Sequence, residues 1–170
     1  MSYRISIERN TLRFAAAHMA TFGGETEALH GHNYDVIVQM DGALLPDSWV
    51  IDFGEAKRLV REICQELDHK LVLAAHSASM RIDEENGVVT VETSANKRYV
   101  IPKSDVVMLE IDNTTAERLA AWFAGRIAVS LAEAGVSNVT VITVGIEEMP
   151  GQAGWFTLPL GPERKTSRQL

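Results

Sequence analysis

Three histidines stand close together near the start of the chain, and imidazole is the commonest protein ligand for metal ions at neutral pH. His30-Gly31-His32 runs on into NYDVIVQM, whose alternation of apolar and polar residues reads as a strand. Successive side chains on a strand point to opposite faces, so His30 and His32 project from the same one. Upstream, LRFAAAH also reads as a strand, with Phe14, Ala16 and His18 sharing a face. Pairing the two strands would bring three imidazoles to one point. Three protein ligands with the fourth position left to water or substrate is the pattern of a catalytic zinc site, whereas structural zinc sites are closed by four.

The elements that must position these groups follow from periodicity. Tyr3, Ile5 and Ile7 alternate with Arg4, Ser6 and Glu8, which adds a first strand to Leu12–His18 and His32–Met40; local joins make the three antiparallel. A loop over Gly42 and Pro46-Asp47-Ser48 and a short extended piece at Trp49-Val50-Ile51 lead to a helix. Asp52 is its N-cap, with Glu55 placed as in a capping box, and Ala56, Leu59, Val60, Ile63 and Leu67 form its apolar stripe. A second helix opens on the capping-box pattern Thr114-Thr115-Ala116-Glu117, carries the stripe Leu119, Trp122, Phe123, Ile127 and Leu131, and stops at Gly135. Val139–Ile146 and Gly154–Leu160 are strands on either side of a Pro150-Gly151 turn. Between the helices, residues 74–111 read as an inserted β element with a hairpin turn at Glu85-Asn86-Gly87. The expectation is α+β: an antiparallel sheet with two helices on one face, in a single domain over 1–161. Residues 162–170, with three cations and no apolar residue before the terminal leucine, read as a disordered tail.

Composition narrows the function. A chain of 170 residues with 46% hydrophobic content suits one globular core. A formal net charge of -7 argues against nonspecific nucleic-acid or anionic-membrane binding. MSYRISIERN holds no apolar run of signal-peptide length, and no segment approaches a membrane span. One cysteine, Cys64, excludes an intramolecular disulfide and fits a reducing, cytoplasmic setting. Its place beside the first helix's stripe reads as a small, half-buried hydrophobe.

Several short motifs in one order now resemble a family. Phe14-Ala15-Ala16-Ala17-His18, Leu29-His30-Gly31-His32-Asn33-Tyr34, Val50-Ile51-Asp52-Phe53, Leu67-Asp68-His69, Asn113 through Glu117, and Ile146-Glu147-Glu148 are similar to the 6-pyruvoyl-tetrahydropterin synthases, a family that includes the bacterial 6-carboxytetrahydropterin synthases. The resemblance implies the tunnelling fold, in which three subunits join their sheets into a barrel and two trimers stack as a hexamer, with active sites between subunits. It implies zinc held by His18, His30 and His32, and 7,8-dihydroneopterin triphosphate as substrate. Zinc would act as a Lewis acid on the side-chain hydroxyls. Glu148 matches the family's pterin anchor, since a carboxylate accepts two parallel hydrogen bonds from the pterin 2-amino group and ring N–H. Alternation puts only one of Glu147 and Glu148 on the site face, and Glu148 is preferred. Thr115 matches a threonine that helps hold the ring, and Asp68-His69 matches a proton-relay pair.

One departure bears on the chemistry. Synthases of both named activities carry a cysteine as general base in the loop before His-Gly-His; here that loop is Thr21-Phe22-Gly23-Gly24-Glu25-Thr26-Glu27-Ala28-Leu29. A minority branch uses a glutamate three residues before the first histidine of the pair, and Glu27 occupies that place, with Glu25 as second choice. In that branch the resemblance points to side-chain cleavage giving 6-hydroxymethyl-7,8-dihydropterin. The alternatives are a pterin-binding homologue without lyase activity, and a 6-carboxy- or 6-pyruvoyl-tetrahydropterin synthase with a different base.

Overall fold

A computed structural model describes residues 2–8 and 12–161. The expected tail at 162–170 lies outside the described residues. β1 (Tyr3–Ile7), β2 (Arg13–His18) and the 13-residue β5 (His30–Gly42) form the antiparallel heart of the sheet, with β2 on the first half of β5 and β1 on the second. Between β2 and β5 lies a two-stranded hairpin, β3 (Thr21–Phe22) and β4 (Glu25–Thr26). On its other edge β5 pairs antiparallel with β11 (Val139–Met149), which pairs with β12 (Gln152–Pro159).

The sheet is mixed rather than purely antiparallel. β6 (Lys70–Ala74) runs parallel to β2, and β10 (Val106–Leu109) runs parallel to β6. Parallel neighbours need long crossover connections. The first is supplied by β5 together with α1 (Phe53–Leu67); the second is the insertion itself. That insertion is a separate three-stranded meander, β7 (Met80–Glu85), β8 (Val88–Thr93) and β9 (Arg98–Pro102). Its expected flanks near residues 74 and 109 therefore belong to the main sheet.

α1 and α2 (Ala116–Glu133) lie together on one face, because their apolar stripes have one surface to cover. Phe14, Tyr34, Val36, Val38, Met40, Val144 and Ile146 point from the strands into that layer and meet Val60, Ile63, Leu119, Phe123 and Ile127. Phe14 stacks on Tyr34 at 4.7 Å and on Phe123 at 5.7 Å between ring centres. Each such side chain contributes about 1.5–3 kcal/mol on leaving water. A second, smaller cluster joins the insertion to β6: Met80, Val89 and Val91 pack on Leu71, Leu73 and Met19. No helix among the described residues is long and apolar enough to cross a membrane.

The helix starts show how local chemistry sets the ends. The Asp52 carboxylate accepts the Glu55 N–H at 2.9 Å, while Glu55 turns its own carboxylate to Arg58 instead of closing the box. At α2 the capping side chain is Thr115, which accepts from the Arg118 N–H; Thr114, expected to open the capping box, lies one residue further out. β12 crosses the start of α2 so closely that a Cβ on Gly154 would stand 2.5 Å from the Glu117 nitrogen and 2.6 Å from the Ala116 carbonyl carbon. Backbone cannot give way as a side-chain tip can, so Gly154→Ala should cost about 1–3 kcal/mol. The expected readout is a lower urea midpoint at unchanged slope, and an unchanged midpoint would show that β12 and α2 are not held in this contact.

Candidate functional site

The register of β2 on β5 sets His18 opposite His30 and Ala16 opposite His32. All three histidines face the helix layer just beyond the aromatic core, with Tyr34 beneath them. One nitrogen from each lies within 4.8 Å of the others. His18 is buried, His32 half-buried and His30 exposed.

Their second nitrogens decide what the group can bind. His18 Nδ1 is 3.1 Å from the Thr114 carbonyl oxygen and equally close to its hydroxyl, and His30 Nδ1 is 2.8 Å from the Ala28 carbonyl. A carbonyl only accepts, so both Nδ1 atoms carry the hydrogen and both Nε2 atoms carry a lone pair. Those two Nε2 atoms are 3.1 Å apart. Facing lone pairs at that distance repel unless a proton or a cation lies between them. Burial, with His30 adding to it, pushes His18 down to about 4, so His18 presents a neutral Nε2 lone pair at neutral pH. The donor set therefore fits a divalent metal ion held by three neutral imidazoles, each of two oriented by a backbone carbonyl.

The histidines open onto a cavity of about 480 Å³ whose walls include Phe22, Glu27, Thr115, Glu117, Glu148 and Gly154. Glu148 comes from the end of β11, where a bulge interrupts the pairing with β12. Burial raises its carboxyl above the ordinary value, opposed by His32 and reinforced by Glu117. Its neighbour Glu147 instead accepts the Gly151 N–H at 2.6 Å in the turn. The Tyr34 hydroxyl is buried with no hydrogen-bond partner among the described residues, and burial, with Glu148 adding, raises its pKa above the usual range.

Glu27 thus shares the histidines' cavity, and Glu25, paired with Phe22 in the hairpin, does not line it. Asp68 and His69 are elsewhere. Asp68 ends α1 and accepts the Ala15 N–H at 2.8 Å, while the His69 N–H donates to the Ala15 carbonyl at 2.7 Å. The carboxylate also holds His69 Nδ1 at 2.9 Å, and the Ala15 N–H followed by His69 keeps it below the usual carboxylate range. The largely exposed imidazole lines a different cavity, with Ala15, Ala17 and Asn33, on the sheet face away from the helices. Within one chain His32 also borders that cavity, but neither Asp68 nor His69 lines the one that the three histidines share. Cys64 faces the core of α1 and burial pushes its thiol up to about 12, which removes it as a nucleophile. Sequence reading missed Thr114 as the partner of His18 and Glu117 as a wall of the cavity, because both sit in a stretch whose pattern is explained by capping.

The family model described as 6-pyruvoyl tetrahydropterin synthase matches residues 6–158. The chain belongs to that family. A Methanocaldococcus jannaschii protein, whose name proposes it as a 6-carboxy-5,6,7,8-tetrahydropterin synthase, is 41% identical over 147 residues, 85% of this chain and 89% of its own. A Pyrococcus horikoshii protein with the same proposed name is 32% identical over 96% of this chain and 99% of its own. Among solved structures, the Plasmodium vivax 6-pyruvoyltetrahydropterin synthase superposes with a TM-score of 0.89 at 27% identity, covering 94% of this chain and 99% of that one, in a variant described as a catalytic residue mutant with glutamate replaced by alanine. The tetrahydropterin-synthase fold expected from the motifs is therefore the fold of this chain. Its three-histidine group should take up about one divalent metal ion per chain, and His32→Ala should lose it, because two imidazoles seldom hold such an ion tightly. Elemental analysis after dialysis checks this; full occupancy in His32→Ala would remove His32 from the ligand set.

Proposed function

We propose that this protein is a zinc-dependent lyase that cleaves the side chain of 7,8-dihydroneopterin triphosphate to 6-hydroxymethyl-7,8-dihydropterin, with Glu27 as general base. The observation that carries the reading is that Glu27 lines one cavity with His18, His30, His32 and Glu148, in a chain whose Plasmodium vivax neighbour has a glutamate described as catalytic. His18, His30 and His32 would hold the ion. When bound, zinc supplies Lewis acidity to the side-chain hydroxyls and stabilises an adjacent carboxylate in its ionised form.

The chain's own groups do the rest. Glu148 accepts two parallel hydrogen bonds from the pterin 2-amino group and ring N–H, and Thr115 at the start of α2 holds the ring's edge. Glu27 takes the proton from the hydroxyl on the second side-chain carbon. The bond between the first and second carbons then breaks, and the second carbon leaves as an aldehyde on the fragment that carries the triphosphate. The electron pair stays on the first carbon, which is protonated there, so protons balance. Asp68 orients His69, and the pair serves the site of a neighbouring copy, since it stands on the opposite sheet face of its own chain. The sheet edges at β12 and β10 are open in the single chain, and joining them between copies in a closed trimer or hexamer protects them.

The names of the archaeal relatives favour a second reading, in which the same site yields a 6-carboxy product. Mass spectrometry of products from dihydroneopterin triphosphate separates the two. Glu27→Gln should keep metal and pterin binding and lose roughly 10²–10⁴-fold in turnover, the usual worth of a general base; full activity would reassign the base. Binding of pterin by a wild type without turnover would leave a binding protein. Co-expression tests the shared site. His69→Ala and Glu27→Gln subunits, each slow alone, should recover activity well above either parent in mixed oligomers, because some interfaces then pair an intact Glu27 with an intact His69. Mixed oligomers as slow as their parents would show that both residues act within one chain.

A further inference from the structure

The hairpin that leads into Glu27 is gripped from two sides. Gly23 and Gly24, with φ of +60° and +85°, make its two-residue turn, a pair of left-handed positions that suits a tight hairpin. At its base the Glu27 N–H donates to the Ala20 carbonyl at 2.9 Å. On the α2 side, the Asn113 side chain closes a reciprocal pair with the Thr21 backbone, accepting its N–H and donating to its carbonyl, both at 2.9 Å.

On the other side the grip comes from the inserted meander. The Thr26 N–H donates to Ser94 Oγ at 2.9 Å, and the Thr26 hydroxyl donates to the Ser79 carbonyl at 3.0 Å. The Thr21 and Ser79 hydroxyls are 2.6 Å apart. Ser79 lies immediately before β7 and Ser94 immediately after β8, and the Ser94 N–H donates to the Ser79 carbonyl at 2.9 Å. The two ends of one hairpin of the insertion are thus tied to each other and to Thr26, the residue next to Glu27. Thr26 is 8% exposed, so these bonds are shielded from competing water.

We infer that the insertion is a brace for the catalytic base: Ser79 and Ser94, acting through Thr26, are positioning residues that hold Glu27 at the metal-binding cavity. The inference rests on the reading of Glu27 as the base. Thr26, Ser79 and Ser94 do not line that cavity. Their effect is on where the carboxylate stands, and a base displaced by about an ångström can lose up to roughly 100-fold in rate. Serine and threonine suit this use because each hydroxyl both donates and accepts, so a short chain of them satisfies a backbone N–H and a carbonyl together.

The test compares full-length Ser94→Ala, Thr26→Val and Glu27→Gln with the double variant Ser94→Ala/Glu27→Gln, using dihydroneopterin triphosphate turnover, metal content and hydrogen exchange. Ser94→Ala and Thr26→Val should lower kcat roughly 10- to 100-fold at unchanged KM and metal content. The Thr26 amide should exchange faster in Ser94→Ala, and Thr26→Ser should restore turnover. In the Glu27→Gln background, Ser94→Ala should slow the residual reaction no further. Thr26→Val keeps the side chain's shape, so it carries the comparison if Ser94→Ala does not fold. The brace is overturned alone, with Glu27 still the base, if Glu27→Gln is slow but Ser94→Ala and Thr26→Val are fully active. It is likewise overturned if Ser94→Ala slows both backgrounds equally, or acts on KM only. If Glu27→Gln is fully active, the reading of the base falls and the brace with it.

Discussion

The antiparallel register of β2 on β5 is the constraint on which the site depends. It sets His18 opposite His30 and leaves His32 two residues along on the same face. Strand side chains alternate, so a slip of one residue would turn His18 to the other face and dissolve the group. The register is in turn held by apolar burial. Phe14 and Tyr34 are partners across the same pair of strands, and both stack into the layer under Phe123. Core packing and metal geometry are therefore set by one choice of pairing.

Two carbonyls convert that placement into chemistry. Thr114 and Ala28 bind the Nδ1–H groups of His18 and His30, so the Nε2 lone pairs must face one another. An arrangement unfavourable without a cation becomes favourable with one. Thr114 reaches His18 because it stands just outside the α2 cap, and Asn113 beside it also anchors Thr21 at the foot of the Glu27 hairpin. The start of α2 thus touches the ligands, the cavity wall through Thr115 and Glu117, and the loop between the ligands.

The sheet has a helix-covered face with the histidine cavity and an open face with His69. Asp68 and His69 are fastened to the edge of β2 through the Ala15 main chain, outside the cavity that the three histidines share. The meander between the helices packs beside this open face through Met80, Val89 and Val91 on Leu71 and Leu73. Its position brings Ser79 and Ser94 to the hairpin.

Periodicity and cap chemistry are local, and what they specify was legible in the residues. The alternation of β5, the stripes of both helices, Asp52 as a cap and Gly135 as a stop all depend on neighbours within a few positions. The common face of His30 and His32 follows from the same rule. Even so, the residues alone do not distinguish KLVLA, just before the insertion, as a main-sheet strand. Short apolar runs say nothing of which partner they choose, and the parallel pairing of β6 and β10 depends on crossovers that only the folded chain reveals. Thr114 looked like one half of a capping box because the pattern spans both threonines; the helix began one residue later, and that freed Thr114 for His18. The motif's spacing already favoured Glu27 over Glu25, but only the folded chain puts Glu27 on the cavity of the three histidines and leaves His69 outside it. Residue types and their spacing determined which groups could act, whereas long-range pairing and packing decided which of them meet.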